Sequence, residues 1–204
     1  MRGGTVPTAL TEAPAASRGV SSEDFREAMT HFATSVAVVT THDGRRPVGC
    51  TVTAVMPLSD TPPTMAVSLI TGSSTLGHIL DSGRFAINIL QWHQRHLVQQ
   101  FASGAAERRF DGVEYCDDQG APVLAEAMTS MVCELTQSVP LLDHTLLIGG
   151  VDVAVSGDAG PLVLYRRDGH RLTTSDCARC ETGPVPTPGA QGRSPGPGRA
   201  GPMP

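Results

Sequence analysis

The sequence predicts a mainly β protein with flanking helices, its strands mostly antiparallel and curled into a barrel or a bent sheet. Three observations lead there. Short runs rich in Val, Ile and Thr recur between Val36 and Tyr165, with turn residues between them. The first two runs are joined by His42-Asp43-Gly44, an Asp-Gly hairpin signal. Only a few stretches carry helical period, and they interrupt the strands without alternating with them.

Taken in order, Ser21 and Asp24 have capping-box spacing and start a helix that puts Phe25, Ala28, Met29 and Phe32 on one face. Strands are expected at Val36 to Thr41, Pro47 to Met56, Thr64 to Ile70 and Phe85 to Leu90, the second and third separated by a break at Asp60 to Pro63. Met128 to Ser138, His144 to Val155 and Pro161 to Tyr165 follow. Helices are expected at Ser74 to Leu80 and at His93 to Ala102.

With 204 residues the chain suits one well-buried domain and is short for two. Residues 1–20 read as a disordered lead-in, 21–174 as the domain, and 175–204 as a tail whose Pro and Gly cannot offset the entropy of ordering. The formal charge of -5 argues against a nucleic-acid partner, which needs a basic face. All 15 basic residues are Arg, which no single chemistry demands. No run approaches the roughly 18 apolar residues of a membrane helix, and the N-terminus lacks a signal-peptide core. A cytoplasmic protein is therefore expected. Five scattered Cys fit reduced thiols better than a disulfide framework.

No G-x-G-x-x-G, Walker loop, G-x-S-x-G or H-E-x-x-H occurs. The most informative segment is Thr71-Gly72-Ser73-Ser74-Thr75, which ends a strand and opens a helix. Hydroxyls and backbone N–H groups at a helix N-terminus suit an anion, although Ser and Thr are also ordinary caps. A second segment, Val48 to Val55, carries Gly49 and small residues that let a flat ligand approach the backbone. It also reads as a plain strand with one polar face. His93 and His96 have the spacing of two metal ligands, but solvated helix residues account for them without a third ligand. Cys177 and Cys180 form a lone C-x-x-C beside the tail and read as ordinary thiols. Asp143-His144 is either an acid/base pair or a turn with an Asx cap.

In order along the chain stand Thr34 to Val39, Gly49-x-Thr51-x-Thr53-Ala54, Asp60 to Pro63, Gly72 to Thr75 and Phe85 to Leu90. Phe101-Ala102, Arg109 to Gly112, Asp143 to Thr145 and Arg167-x-x-His170-Arg171-Leu172 continue the series. From about Phe25 to Leu172 this series resembles the short-chain flavin reductases that serve two-component flavin monooxygenases. The resemblance implies an FMN-binding split β-barrel of Greek-key type, usually a homodimer. It implies FMN or FAD as cofactor, NADH or NADPH as hydride donor, and a monooxygenase supplied by diffusing reduced flavin.

Carried over residue by residue, Cys50, Thr51, Val52, Thr53 and Ala54 would run along the isoalloxazine. Ser68 and Leu69 would lie by the ribityl chain, and Ser73 and Ser74 would hold phosphate. Ser35 and Val36 would line the pocket, and Asn88 with Phe110 to Gly112 would complete it. His144, Arg167 and His170 would face the nicotinamide, with His144 the catalytic candidate. Ile70-Thr71 stands where many relatives carry a basic residue or Asn, and Gly169 where an aromatic often precedes the His. Two alternatives stand beside this reading. A non-catalytic flavin-binding module would keep the pocket without consuming NADH. A pyridoxamine-phosphate-oxidase-like flavoprotein would want a strongly basic phosphate site, which the residues around Gly72 do not offer.

Overall fold

The structure is a computed structural model that describes residues 19–172. Helix α1 (Ser22–Met29) starts where the capping signal places it: the Asp24 N–H donates to the Ser21 hydroxyl at 3.0 Å. The same hydroxyl donates to the Asp24 carboxylate at 2.7 Å. No residue of α1 is buried, and its expected apolar face is open, Phe25 being 58% and Phe32 65% exposed.

The strands are β1 (Thr34–Ser35), β2 (Ala37–His42), β3 (Pro47–Val52), β4 (Val55–Asp60), β5 (Pro63–Ile70), β6 (Arg84–Ile89), β7 (Tyr115–Asp118), β8 (Ala121–Leu124), β9 (Thr129–Leu141), β10 (His144–Ser156), β11 (Leu162–Tyr165) and β12 (Asp168–Arg171). Helix α2 (Ser74–Ser82) lies between β5 and β6, and α3 (Arg95–Ser103) follows β6. Seven antiparallel strands make the main sheet in the order β3-β2-β6-β9-β10-β5-β4. Its two edge strands, β3 and β4, are consecutive in the chain with only Thr53 and Ala54 between them. The sheet therefore curls until its edges come together at Thr53–Ala54, and the Ser68 N–H donates to the Ala54 carbonyl at 3.0 Å, carrying the β4–β5 ladder up to that junction.

Strand β2 is buried on both faces, and its alternation divides the core. Ala37 and Val39 join Val67, Leu69, Phe85 and Leu147 in one cluster. Val38, with Val36 just before the strand, joins Leu97 and Phe101 of α3, Leu124 and Leu162 in another. Gly49 is needed for close approach: a Cβ there would lie 2.8 Å from the Val39 carbonyl oxygen. Gly83 ends α2 with φ +69°, its N–H on the Ile79 carbonyl.

One difference from the sequence reading affects the site. The run from Pro47 to Met56 is two strands, because Val52 pairs with Ala37 while Val55 pairs with Val67 on another partner. Asp60 to Pro63 is the turn joining β4 to β5, with a cis Thr61–Pro62 peptide. The β7–β8 hairpin was hidden by the polar run Tyr115 to Asp118, which shows no alternation. The C-x-x-C and the tail lie outside the described residues, as does almost all of the lead-in. No described helix is long and apolar enough to cross a membrane.

Candidate functional site

The seam between β3 and β4 forms one wall of a cavity of about 600 Å³. Cys50, Thr51, Val52, Thr53 and Ala54 line it from that wall, and Ser68, Leu69 and Ile70 from β5. Gly72, Ser73 and Ser74 line it from the turn into α2, and His144 from the start of β10. Its size is within the about 300–1,000 Å³ of small-molecule sites.

The turn after β5 is fixed by backbone bonds. Thr71 N–H donates to the Asp143 carbonyl at 3.0 Å, and Ser73 N–H to the Ile70 carbonyl at 2.9 Å. Thr71 and Thr145 hydroxyls are 3.1 Å apart, tying the turn to β10 from the side chains as well. Ser73 is the N-cap of α2, yet its side chain makes no capping bond. A Cβ on Gly72 would meet nothing within 4 Å, so the turn is an open cradle. Hydroxyls not used in capping and the N–H groups of the first helical turn are a donor set for an anion.

The cavity also contains a cation that the reading of the sequence did not place there. Arg109 is held over 60 positions of chain by its Nη1–H, which donates to the Gly49 carbonyl at 2.8 Å, and its Nε–H donates to the Gly104 carbonyl at 3.0 Å. Both bonds leave guanidinium N–H groups free beside the Ser73–Ser74 cradle. Phe101 and Ala102 complete this side. All three residues belong to motifs visible in the sequence, but only the fold shows that they reach the cavity.

Burial pushes the Cys50 thiol up in pKa. The Thr75 and Ser73 hydroxyls and the Arg109 charge act the other way without reversing it. Cys50 is therefore a neutral wall residue at ordinary pH. His144 has its Nδ1 2.8 Å from the Asp143 carboxylate, and that hydrogen bond holds Asp143 below the usual carboxylate range. Half-exposed, the imidazole has its other nitrogen free to meet a ligand.

Several residues assigned to the pocket lie elsewhere. Val36 is buried in the core cluster beside α3. Asn88 is fully buried, and its amide donates to the Val38 carbonyl and the Thr40 hydroxyl while accepting from Leu124 N–H and the Ser130 hydroxyl. All its bonding capacity goes to the fold. Ser35 lines a separate, mostly apolar groove that shares Thr53, Ala54 and Ser68 with the first cavity. Phe110 lines an adjoining compartment, and Gly112 a shallow cleft near His93. Arg167 pairs with Glu27 of α1 at 3.0 Å, and His170 Nε2 is 3.2 Å from the Tyr165 carbonyl oxygen, both on the exposed β11–β12 hairpin. His93 is 2.9 Å from the Glu126 carboxylate, and no metal-ligand cluster occurs among the described residues.

The reductase component of 4-nitrophenol 4-monooxygenase/4-nitrocatechol 2-monooxygenase from Rhodococcus opacus is 37% identical over 149 residues, 72% of this chain and 80% of its own. An NADH:riboflavin 5'-phosphate oxidoreductase from Streptomyces pristinaespiralis is 35% identical over 160 residues, 76% of this chain and 90% of its own. Among solved structures, flavin reductase PheA2 in its native state superposes with a TM-score of 0.71 at 32% identity, covering 76% of this chain and 99% of that one. Residues 29–173 match the family described as flavin reductase like domain, and the chain belongs to that family.

Proposed function

We propose that the protein is an NAD(P)H:flavin oxidoreductase that passes a hydride from NADH to FMN or FAD and releases reduced flavin to a partner monooxygenase. The observation that carries this is one cavity that gathers the backbone wall from Cys50 to Ala54, the Ser68–Leu69 stretch, the Ser73–Ser74 cradle and Arg109. This donor set fits a flavin nucleotide: a flat ring against a strand of small residues, and a phosphate between a helix N-terminus and a guanidinium.

A bound flavin supplies N5 as the acceptor of the two electrons and the hydrogen that leave nicotinamide C4 as hydride. The chain's residues bind and orient. Thr51 is held by its hydroxyl donating to the Val98 carbonyl at 2.8 Å, so its backbone edge is fixed against the cavity. Ser73, Ser74 and Arg109 anchor the phosphate, and His144 positions the nicotinamide. Rate then comes from holding two cofactors in contact, with no nucleophile or acid/base pair needed.

The reading extends to a split β-barrel of Greek-key type that acts as a cytoplasmic homodimer. The support is an apolar surface with no cover in one chain: Phe32 and Met56 line the groove beside the seam, and Phe25 and Leu58 are exposed nearby in sequence. Steady-state oxidation of NADH and of NADPH, with FMN, FAD and riboflavin each added in turn, tests the assignment. Flavin-dependent oxidation without an organic substrate supports it, and absence of turnover with any of the six pairs contradicts it.

A further inference from the structure

Arg109 reaches the flavin cavity from a turn that belongs to no helix or strand, so its place depends on what holds that turn. The turn's own backbone bonds run to the carbonyls of Arg108 and Phe110, from the Asp111 and Val113 N–H groups, each at 3.1 Å. The carbonyls of Arg109 and Asp111 go to α3 instead. The Gln100 side-chain amide donates to Arg109 at 2.8 Å and to Asp111 at 3.1 Å. Two acceptors on one end of the amide require its NH2 group, which carries two donors, so the network fixes which way the amide faces.

Resting on the flavin reading above, we infer that Gln100 is a positioning residue for the flavin site, acting through Arg109 on the phosphate end of FMN. Gln100 does not line the cavity itself. Its effect passes through the main chain of Arg109, whose Nε–H and Nη1–H are fixed on the carbonyls of Gly104 and Gly49. With backbone and side chain both anchored, the remaining guanidinium donors are aimed before a phosphate arrives, and binding need not order them.

Helix α3 can act as this clamp because it is itself fixed. Leu97 and Phe101 are buried in the core, and the Thr51 hydroxyl on β3 donates to the Val98 carbonyl at 2.8 Å. Phe101, next in the chain, holds the same turn by its ring, edge-on to Phe110 at 5.0 Å between centroids. The backbone of Gln100 also places Gly104. A Cβ on Gly104 would lie 2.4 Å from the Gln100 carbonyl oxygen, and the Gly104 carbonyl is the acceptor for Arg109 Nε–H. Gln100 thus fixes the Arg109 backbone through its amide, and one of the two side-chain acceptors through its carbonyl.

The test is titration of FMN and riboflavin into the full chain and into two variants. Gln100→Met keeps the length and loses both donors, and Gln100→Glu turns acceptors toward two carbonyls. In each variant the FMN Kd should rise at least about fivefold, while the riboflavin Kd stays within about twofold. Added to Arg109→Ala, Gln100→Met should change the FMN Kd by less than about twofold, because the group it positions is gone. Equal changes for FMN and riboflavin, no change in either, or a full additive loss in the Arg109→Ala background would overturn the role of Gln100 and leave the flavin reading in place. Failure of both variants to fold would make Gln100 a scaffold residue and overturn the role as well. A wild type that binds neither FMN nor riboflavin would overturn the flavin reading itself.

Discussion

Arg109 donates from Nη1 to the carbonyl of Gly49 at 2.8 Å, joining the loop after α3 to the wall of the cavity. The bond fixes a guanidinium next to the Ser73–Ser74 cradle, where Gly49 cannot be larger without meeting the Val39 carbonyl. Arg109→Ala should weaken FMN by about 1.5–3 kcal/mol, the value of a hydrogen bond to a charged group. Riboflavin, which has no phosphate, should lose much less. Arg109→Lys should not restore FMN affinity, because one ammonium cannot hold two carbonyls and a phosphate in the same fork. Isothermal titration of both ligands separates these outcomes, and equal losses for riboflavin and FMN would place Arg109 in the scaffold alone.

The hydroxyls of Ser73 and Ser74 act on the same group from the helix side. Ser73 does not cap α2 with its side chain, so Ser73→Ala with Ser74→Ala should cost little stability. FMN binding should fall by about 1–3 kcal/mol with riboflavin nearly unchanged. A lowered Tm together with loss of both ligands would mean that the hydroxyls support the turn.

Asn88 makes the opposite prediction. Four hydrogen bonds from its buried amide connect β2, β6, β8 and β9. Asn88→Ala strands the Leu124 backbone N–H and the Ser130 hydroxyl in the core, at about 1–3 kcal/mol for each that stays unsatisfied, while the Thr40 hydroxyl keeps its bond to the Pro122 carbonyl. Urea denaturation should show a loss of several kcal/mol. Flavin affinity of the folded fraction should hold, and a variant of wild-type stability with weakened flavin binding would return Asn88 to the pocket.

Much of this division was legible before the fold. The order of motifs groups Cys50 to Ala54, Ser68, Leu69, Ser73, Ser74 and His144, and all of them line one cavity, because strand alternation and a helix start are local signals. Asn88 and Val36 lie in the core, since polarity and strand position do not tell which face of a doubly buried strand meets a ligand. Arg109 is visible in the sequence only as part of a motif. Its role depends on a contact with Gly49 that no local pattern encodes. The β3–β4 seam was likewise invisible, because a strand that changes partner at Thr53 keeps the same alternation.

His144 and Asp143 give a prediction in pH. Asp143 is held below the usual carboxylate range chiefly by its hydrogen bond from His144, so its ionised form is favoured in the folded protein. A depressed acid contributes above its unfolded pKa, and that contribution disappears as pH falls through the folded one, here below about pH 4. NMR titration of the Asp143 carboxyl should therefore show its midpoint rise in His144→Ala. The same variant should lower kcat or raise KM for NADH while flavin Kd stays within about twofold. Unchanged NADH kinetics with a risen Asp143 midpoint would leave His144 as a partner of Asp143 only.

The central claim is that hydride passes to flavin that then leaves. The most direct measurement is anaerobic: limiting protein, excess NADH, and free flavin at many times the protein concentration, followed by flavin absorbance. All the flavin should be bleached, with one NADH consumed per flavin, because each reduced molecule is released and replaced. Bleaching that stops at one flavin per chain, or does not begin, would contradict it.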